Sequence, residues 1–230
     1  MKSIAMEAKY QKIREIAERE LSCSTHEIEH VMRVQNLCLY LAKFEHNIDL
    51  DVLKTAVLLH DIARVKEFED KNGTIDHALL GAEMSAEILR KLGYSEEKIA
   101  QIKHCIATHR FRSEIKPQTK EAQILFDADK IDALGAVGIA RAFMLGGQYG
   151  QKIYLDIPIE TYLKNNVVDE KNHGKIKDIT KHSANLEFEL KFKHIPERLY
   201  TQKAREIAEE RLRFMEKFYE RLKMEIEAEL

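Results

Sequence analysis

The sequence predicts an all-α protein, a bundle of packed helices. Two observations carry that reading. Apolar residues recur at three- and four-residue spacing along most of the 230-residue chain, and strand-type alternation is almost absent, with 185–190 as its one ambiguous exception. Only three prolines interrupt the pattern.

Residues 6–21 read as a charged amphipathic helix. A second helix runs from about 26 to 45, with Ile28, Val31, Gln35, Leu39 and Ala42 on one face. A third covers about 50–62 and is apolar nearly all round until His60, as a central helix should be. Asp76 is placed to cap a helix ending at Gly93, with Leu80, Met84 and Ile88 as its stripe. Ser95 caps the next, whose Ile99, Ile102, Ile106 and His109 share a face. A loop with Pro117 leads into one long helix over 120–145, ended by Gly146 and Gly147. Gly135 and Gly138 fall inside it, where each costs about 1 kcal/mol relative to alanine; close approach of a neighbouring helix is the expected reason. Residues 151–182 are polar and irregular, including the charged run 169–174, and are expected to form a lid or loop. After Pro196 a helix over about 200–228 carries Ala204, Ile207, Ala208, Leu212, Met215, Phe218, Tyr219 and Leu222, a stripe suited to docking on the main body or on a second copy. One domain is expected: a core over about 20–150, a lid or loop region over 151–195 and a packing helix over 196–230.

Composition narrows the function. With 44% hydrophobic and 33% charged residues the chain is globular rather than disordered. A net charge of −2 provides no global field for a polyanion, so a nucleic-acid partner is not expected. Cys23, Cys38 and Cys105 lack metal-type spacing and read as reduced thiols. The start runs straight into charged helical sequence, and no apolar run is long enough to span a bilayer. A cytoplasmic protein with no membrane contact, monomeric or homodimeric, is expected.

The chemistry gathers at His60 and Asp61, which end the apolar run Val57-Leu58-Leu59. An imidazole and a carboxylate buried side by side in hydrocarbon need a partner, and a divalent cation satisfies both. His30 lies 30 residues before His60, and Asp129 lies 68 after Asp61. Leu125, Asp132 and Ala136 share the helix face of Asp129 and turn it inward. Nitrogen and carboxylate ligands together suit Mn, Mg, Co, Ni, Zn or Fe without choosing among them.

These residues resemble the HD superfamily of metal-dependent phosphohydrolases, whose signature is one histidine, a His-Asp doublet and a distal aspartate. The likeness extends from about 20 to 222. His26-Glu27-Ile28-Glu29-His30-Val31-Met32-Arg33-Val34 is similar to the opening of a bacterial and archaeal subgroup of uncharacterised hydrolases, with Glu27 in place of the usual aspartate. Asp127-Ala128-Asp129-Lys130-Ile131-Asp132-Ala133-Leu134-Gly135-Ala136 is similar to its distal segment, and 210–218 to its closing helix. The resemblance implies a helical domain of the HD type and metal-ligand roles for His30, His60, Asp61 and Asp129. Some members of the superfamily hold a second metal, for which His77, His104 and His109 are the candidates here; the simpler expectation is that His77 and His109 line the pocket and contact substrate.

The expected reaction is attack of a metal-activated water on a phosphoester of a nucleotide or other small phosphorylated metabolite. Developing negative charge needs cations, and Arg33, Arg64, Lys130 and Arg141 are the candidates. Arg64 either binds phosphate or caps its helix, and Lys130 either joins the catalytic group with Asp61 or sits on a solvated face. Asp132 either orients a neighbour or acts as general acid. Glu67 is a weaker candidate for the same part as Asp132, and its more ordinary reading is a solvated residue. Two alternatives stay open: an HD-fold di-iron oxygenase, which would need His77 and His109 as ligands, and a non-catalytic module that senses a nucleotide.

Overall fold

The computed structural model describes residues 2–21, 25–110, 115–168 and 175–229. Cys23 and the charged run 169–174 lie outside them, as do the side chains of His26 and Glu27. The fold is all-α. Eleven helices and a single pair of two-residue strands are present among the described residues. The chain divides into two compact units, Met1–Asp129 and Lys130–Leu230. No described helix is long and apolar enough to cross a membrane.

In the first unit α3 (Leu50–Leu59) is central. Asp49 caps it by accepting from the amides of Asp51 and Val52, and Val52, Leu53, Thr55 and every residue from Ala56 to Leu59 are buried. Burying each leucine is worth about 1.5–3 kcal/mol. Helices α1 (Lys2–Glu20), α2 (Thr25–Leu41) and α6 (Glu96–Thr108) pack on it. The sequence carries the apolar helix to 62, but α3 stops at Leu59. His60 and Asp61 stand in a turn closed by Ile62 N–H to Leu59 O at 3.3 Å and Arg64 N–H to Asp61 O at 2.8 Å. The short α4 (Arg64–Glu69) follows, an element too brief to show a periodicity.

Helix α5 (His77–Lys91) packs on α6 and is capped by Asp76 as expected; Gly93 has φ +75°. Its stripe differs from the expected one. Leu80, Met84 and Ile88 are only half-buried, and the core face is Ala78, Gly81, Ala82, Ser85, Ala86 and Leu89. Small residues let α5 close on its neighbours: a Cβ built at Gly81 would stand 3.6 Å from the His60 carbonyl oxygen. Cys38 donates to the Ile124 carbonyl at 3.8 Å, and Asp49 N–H donates to Glu121 at 2.8 Å, tying α7 (Lys120–Asp132) to α2 and α3. Burial raises the Cys38 thiol well above its ordinary range and Cys105 to about 12, so neither is a thiolate near neutral pH.

The long helix expected over 120–145 is two helices. Helix α7 ends at Asp132, and α8 (Gly135–Gln148) begins after a turn in which Gly135 has φ +75°. A Cβ at Gly138 would collide with the Ala133 carbonyl oxygen. Gly138 therefore serves the break, while Gly135 serves both the break and the expected close approach of a neighbouring helix, with Arg211 of the helix Gln202–Glu227 against it. Ala136, expected to share Asp129's face, is exposed on α8. Arg211 holds the end of α7 by donating to Ile131 O at 2.7 Å.

In the second unit α8 packs against α10 (Ala184–Leu190) and α11 (Gln202–Glu227), and Ala204, Ala208, Met215 and Tyr219 of the α11 stripe are buried. Residues expected to be irregular are largely organised. Helix α9 (Ile159–Asn166) leads into β1 (Val167–Val168), antiparallel to β2 (Lys175–Ile176). Side chains hold this region together. The Tyr162 hydroxyl meets His182 Nδ1 at 2.7 Å, His182 Nε2 meets Glu187 at 3.0 Å, and Asn166 bonds both the N–H and the C=O of Asp178, at 3.0 and 2.9 Å. Apolar periodicity cannot report such polar packing, so the sequence reads as loop. The ambiguous stretch 185–190 is helical, within α10.

Candidate metal centre

Two helices and one turn deliver the expected ligands. His30 projects from the buried face of α2, His60 and Asp61 occupy the turn after α3, and Asp129 lies on α7. His30 Nε2 is 3.1 Å from Asp129 Oδ1, 3.4 Å from His60 Nε2 and 3.8 Å from Asp61 Oδ2. His60 Nε2 is 3.7 Å from the same Asp61 oxygen. Residues far apart in the chain thus converge at coordinating separations.

The other oxygen of Asp61 faces a second group. Oδ1 is 3.5 Å from His77 Nε2 and 3.4 Å from His109 Nε2, and the two ring nitrogens are 3.3 Å apart. Ligand atoms of His30, His60 and Asp61 all lie within 4.8 Å of one another, and so do those of Asp61, His77 and His109. His77 is the first residue of α5 and His109 follows α6, so both rings leave helix ends where the backbone can aim them inward. His104, rotated off that face, instead accepts from Gln118 N–H at 3.0 Å.

Hydrogen bonding fixes the rings for ligation. His60 Nδ1 donates to Val57 O at 2.7 Å and His109 Nδ1 to Ile106 O at 2.6 Å. A carbonyl only accepts, so each Nδ1 holds the proton and each Nε2 presents a lone pair. His77 Nδ1 has Glu67 Oε2 at 2.8 Å and Arg64 Nη1 at 3.1 Å. The shorter contact is to an ionised acceptor and puts the proton on Nδ1, with the same result, while Arg64 directs its own hydrogen to Glu67 at 3.0 Å. Two lone pairs and a carboxylate oxygen then face one another at Asp61, His77 and His109. A divalent cation satisfies that arrangement, and the donor set matches. Burial lowers His60 to about 4, so it is a neutral ligand near neutral pH. Burial alone would raise Asp61, but His60, His109 and Arg64 outweigh it and hold the carboxyl well below its usual range. Glu67 follows the same pattern: burial pushes it up, while His77, Arg64 and Arg110 bring it to about 2.

Glu67 is more engaged than its ordinary, solvated reading implies, and its contacts fit the weaker orienting alternative. It accepts from His77 and from Arg64 Nη1 at 3.0 Å, and forms an ion pair with Arg110 Nη1 at 3.0 Å. Arg110, missed altogether, also reaches Asp76 Oδ2 at 2.6 Å. Their only sequence signal is position, Glu67 six residues past the doublet and Arg110 directly after His109. Arg64 opens α4, so the C-terminal capping alternative does not apply; its guanidinium lies 3.1 Å from His77 Nδ1. Arg33 is half-buried on α2. Lys130, Asp132 and Arg141 fall in the second unit, where Arg141 Nη1 pairs with the buried Asp132 at 2.7 Å.

The HD domain family model matches residues 28–134. The chain is 32% identical over 207 residues to the uncharacterized protein YpgQ of Bacillus subtilis, across 88% of this chain and 85% of that protein. The crystal structure of YpgQ in complex with ADP is similar with a TM-score of 0.68 at 27% identity, covering 96% of both chains. That of an HD-superfamily hydrolase from Bacillus thuringiensis gives a TM-score of 0.70 at 26% identity, covering 97% of this chain and 99% of that one. The 3'-5' exoribonuclease YhaM of Bacillus subtilis is 28% identical over 138 residues, which is 54% of this chain and 44% of that protein. The chain therefore spans less than half the length of this exoribonuclease.

Proposed function

The chain belongs to the HD domain family, and from that premise we propose that it is a metal-dependent phosphohydrolase acting on a nucleotide or another small phosphorylated metabolite. One observation carries the reading: a single carboxylate, Asp61, turns one oxygen to His30 and His60 and the other to His77 and His109. With Asp129 beside His30, this is a donor set for one cation and, across Asp61, for a second. The sequence made one cation the simpler expectation; the paired groups favour two.

A divalent cation held there supplies a Lewis acid for a phosphoryl oxygen and acidifies water near neutral pH. The chain's own groups set the stage for that chemistry. Val57 and Ile106 carbonyls lock His60 and His109 so that neither ring reorganises when substrate arrives. Asp61 stays ionised and keeps negative charge between the two histidine pairs. Arg64 and Arg33 are proposed to meet the negative charge of the phosphoryl group, and Lys130 is proposed alongside them by its place after Asp129. The engagement of Asp132 by Arg141 favours an orienting role for Asp132 over that of a general acid.

The ADP bound to YpgQ and the exoribonuclease activity named for YhaM both support phosphoester chemistry. A net charge of −2 favours a small nucleotide over a long nucleic acid. The His77 and His109 group equally meets the requirement of the di-iron oxygenase alternative. Two irons per chain with substrate-dependent oxygen uptake would select that reading.

The test is a phosphate-release screen over nucleotides and phosphorylated metabolites with Mn, Mg, Co, Ni and Zn. Hydrolysis is expected with at least one cation, and its loss is expected in both His60→Ala and Asp129→Ala. Full activity in either variant would reject the site. Tight nucleotide binding with no release under any cation would select the sensing module instead.

A further inference from the structure

Glu67 touches no expected ligand of the first group, yet it bonds His77 of the second and pairs with Arg110, the residue after His109. Its Oε2 takes the His77 Nδ1 proton at 2.8 Å and an Arg64 bond at 3.0 Å. Its Oε1 takes Arg110 at 3.0 Å and lies 3.5 Å from the His77 backbone N–H. Arg110 in turn bonds Asp76, whose other oxygen caps α5 by accepting from Ala78 N–H at 2.9 Å and Leu79 N–H at 3.2 Å. One guanidinium thus joins the carboxylate that orients the His77 ring to the carboxylate that fixes the helix start from which His77 projects. Arg110 also directly follows His109, the other nitrogen of the group.

An imidazole free to turn has two tautomers and two ring flips, and only one of the four combinations points an Nε2 lone pair at Asp61 Oδ1. A carboxylate bonded to Nδ1–H selects it and raises the basicity of the opposite nitrogen. Arg64 and Arg110 are on hand to keep that carboxylate from drifting to water.

We propose that Glu67, braced by Arg64 and Arg110, is a positioning residue that aims His77 at Asp61 and His109 and thereby sets cation occupancy at the second group, independently of the first. This rests on the two-cation form of the function proposed above. Glu67 acts through His77 and touches no substrate in the proposal.

Manganese stoichiometry and affinity test it. Full-length protein freed of metal is titrated with Mn(II) alone, and bound metal is counted by elemental analysis while the exchange-coupled Mn pair is followed by electron paramagnetic resonance. Wild type is expected to bind two Mn per chain and show the coupled signal. Glu67→Ala is expected to keep the first Mn and bind the second about 10- to 100-fold more weakly, with the coupled signal lost at stoichiometric metal. Glu67→Gln retains an oxygen that accepts from Nδ1–H and should lie between the two. Arg110→Gln leaves Glu67 in place, loosens the brace and should shift the second affinity in the same direction; it carries the test if Glu67→Ala does not fold. His109→Ala supplies the reference for loss of the second position.

Wild-type affinity at both positions in Glu67→Ala, or a lowered melting temperature with unchanged Mn binding, would overturn the proposal. So would a wild-type protein that binds one Mn only; phosphate release by that protein would leave the phosphohydrolase reading standing. Two Mn with the expected Glu67 dependence but no hydrolysis of any substrate would instead remove the functional reading and keep this one.

Discussion

Asp61 shows how much one side chain decides. Its Oδ2 lies 3.7–3.8 Å from the His60 and His30 nitrogens, and its Oδ1 lies 3.4–3.5 Å from those of His109 and His77. Asp129, by contrast, meets His30 at 3.1 Å. Asp61→Asn is therefore expected to weaken cation binding at both groups, and Asp129→Asn mainly at the first, by at least tenfold in a calorimetric Mn(II) titration. Equal losses in the two variants would show that the groups do not share the carboxylate. A second single-residue effect lies in the other unit. Burial pushes Glu187 up, but Lys191 and His182 outweigh it and bring the carboxyl from 4.5 to about 2. A depressed folded value means that the unfolded chain binds the proton more readily. The stabilisation, at most about 3 kcal/mol, is complete above 4.5 and is lost as pH falls through about 2. Glu187→Gln should flatten urea-measured stability across that window; an unchanged slope would assign the acid sensitivity elsewhere. At this scale the sequence spoke clearly where burial created a conflict, as at the His60-Asp61 doublet. It was nearly silent at Glu67, a residue whose meaning comes from arginines folded against it.

Elements were legible wherever one periodicity ran between two caps. Asp76 and Ser95 cap α5 and α6 as read, and the α11 stripe faces its unit's core. Breaks that leave the apolar pattern intact were not legible. Ile131 and Ile139 are buried on either side of the α7–α8 turn and Leu134 within it, so the pattern runs through it and suggests one helix. The discriminating signal was the cost of two glycines three residues apart in a helix, which the turn explains. Gly138→Ala places a methyl group on the Ala133 carbonyl, which neither helix can vacate without opening the turn. Gly135→Ala forces alanine to φ +75° and sets its Cβ 3.0–3.3 Å from Arg211 side-chain carbons, which can move aside. Both should destabilise, Gly135→Ala by about 1–2 kcal/mol and Gly138→Ala by about 3 kcal/mol, the upper end of overpacking costs. Chemical denaturation ranks them, and a milder Gly138→Ala would mean that the turn is softer than its geometry implies. The His60-Asp61 turn escaped the sequence for the same reason: Ile62 and Ala63 are buried beyond it, so hydrophobicity continues where the helix does not.

Across the molecule, His30, His60, Asp61, His77, His109 and Asp129 all belong to the first unit, yet they come from α2, the turn after α3, the start of α5, the end of α6 and α7. A cation joining them would cross-link nearly every layer of that unit. Without one, the same residues place imidazole lone pairs and ionised carboxylates against each other in a buried interior, which opposes folding. Binding should therefore appear as stability with no substrate present. A ligand at one hundred times its Kd adds about 2.7 kcal/mol when it binds only the folded chain. At about 2–4 °C per kcal/mol for a protein of this size, Mn(II), Co(II) or Zn(II) should raise the melting temperature by roughly 5–10 °C. A chelator should reverse the rise. His60→Ala removes a nitrogen that serves the first group alone and should lower the increment by that group's share; Cys38→Ser, in the same unit but away from the ligands, should lower the baseline and keep the metal-dependent increment. A wild-type melting temperature indifferent to every cation, or an increment that survives in full when Asp61, common to both groups, is replaced by Asn, would mean that this cluster does not hold metal.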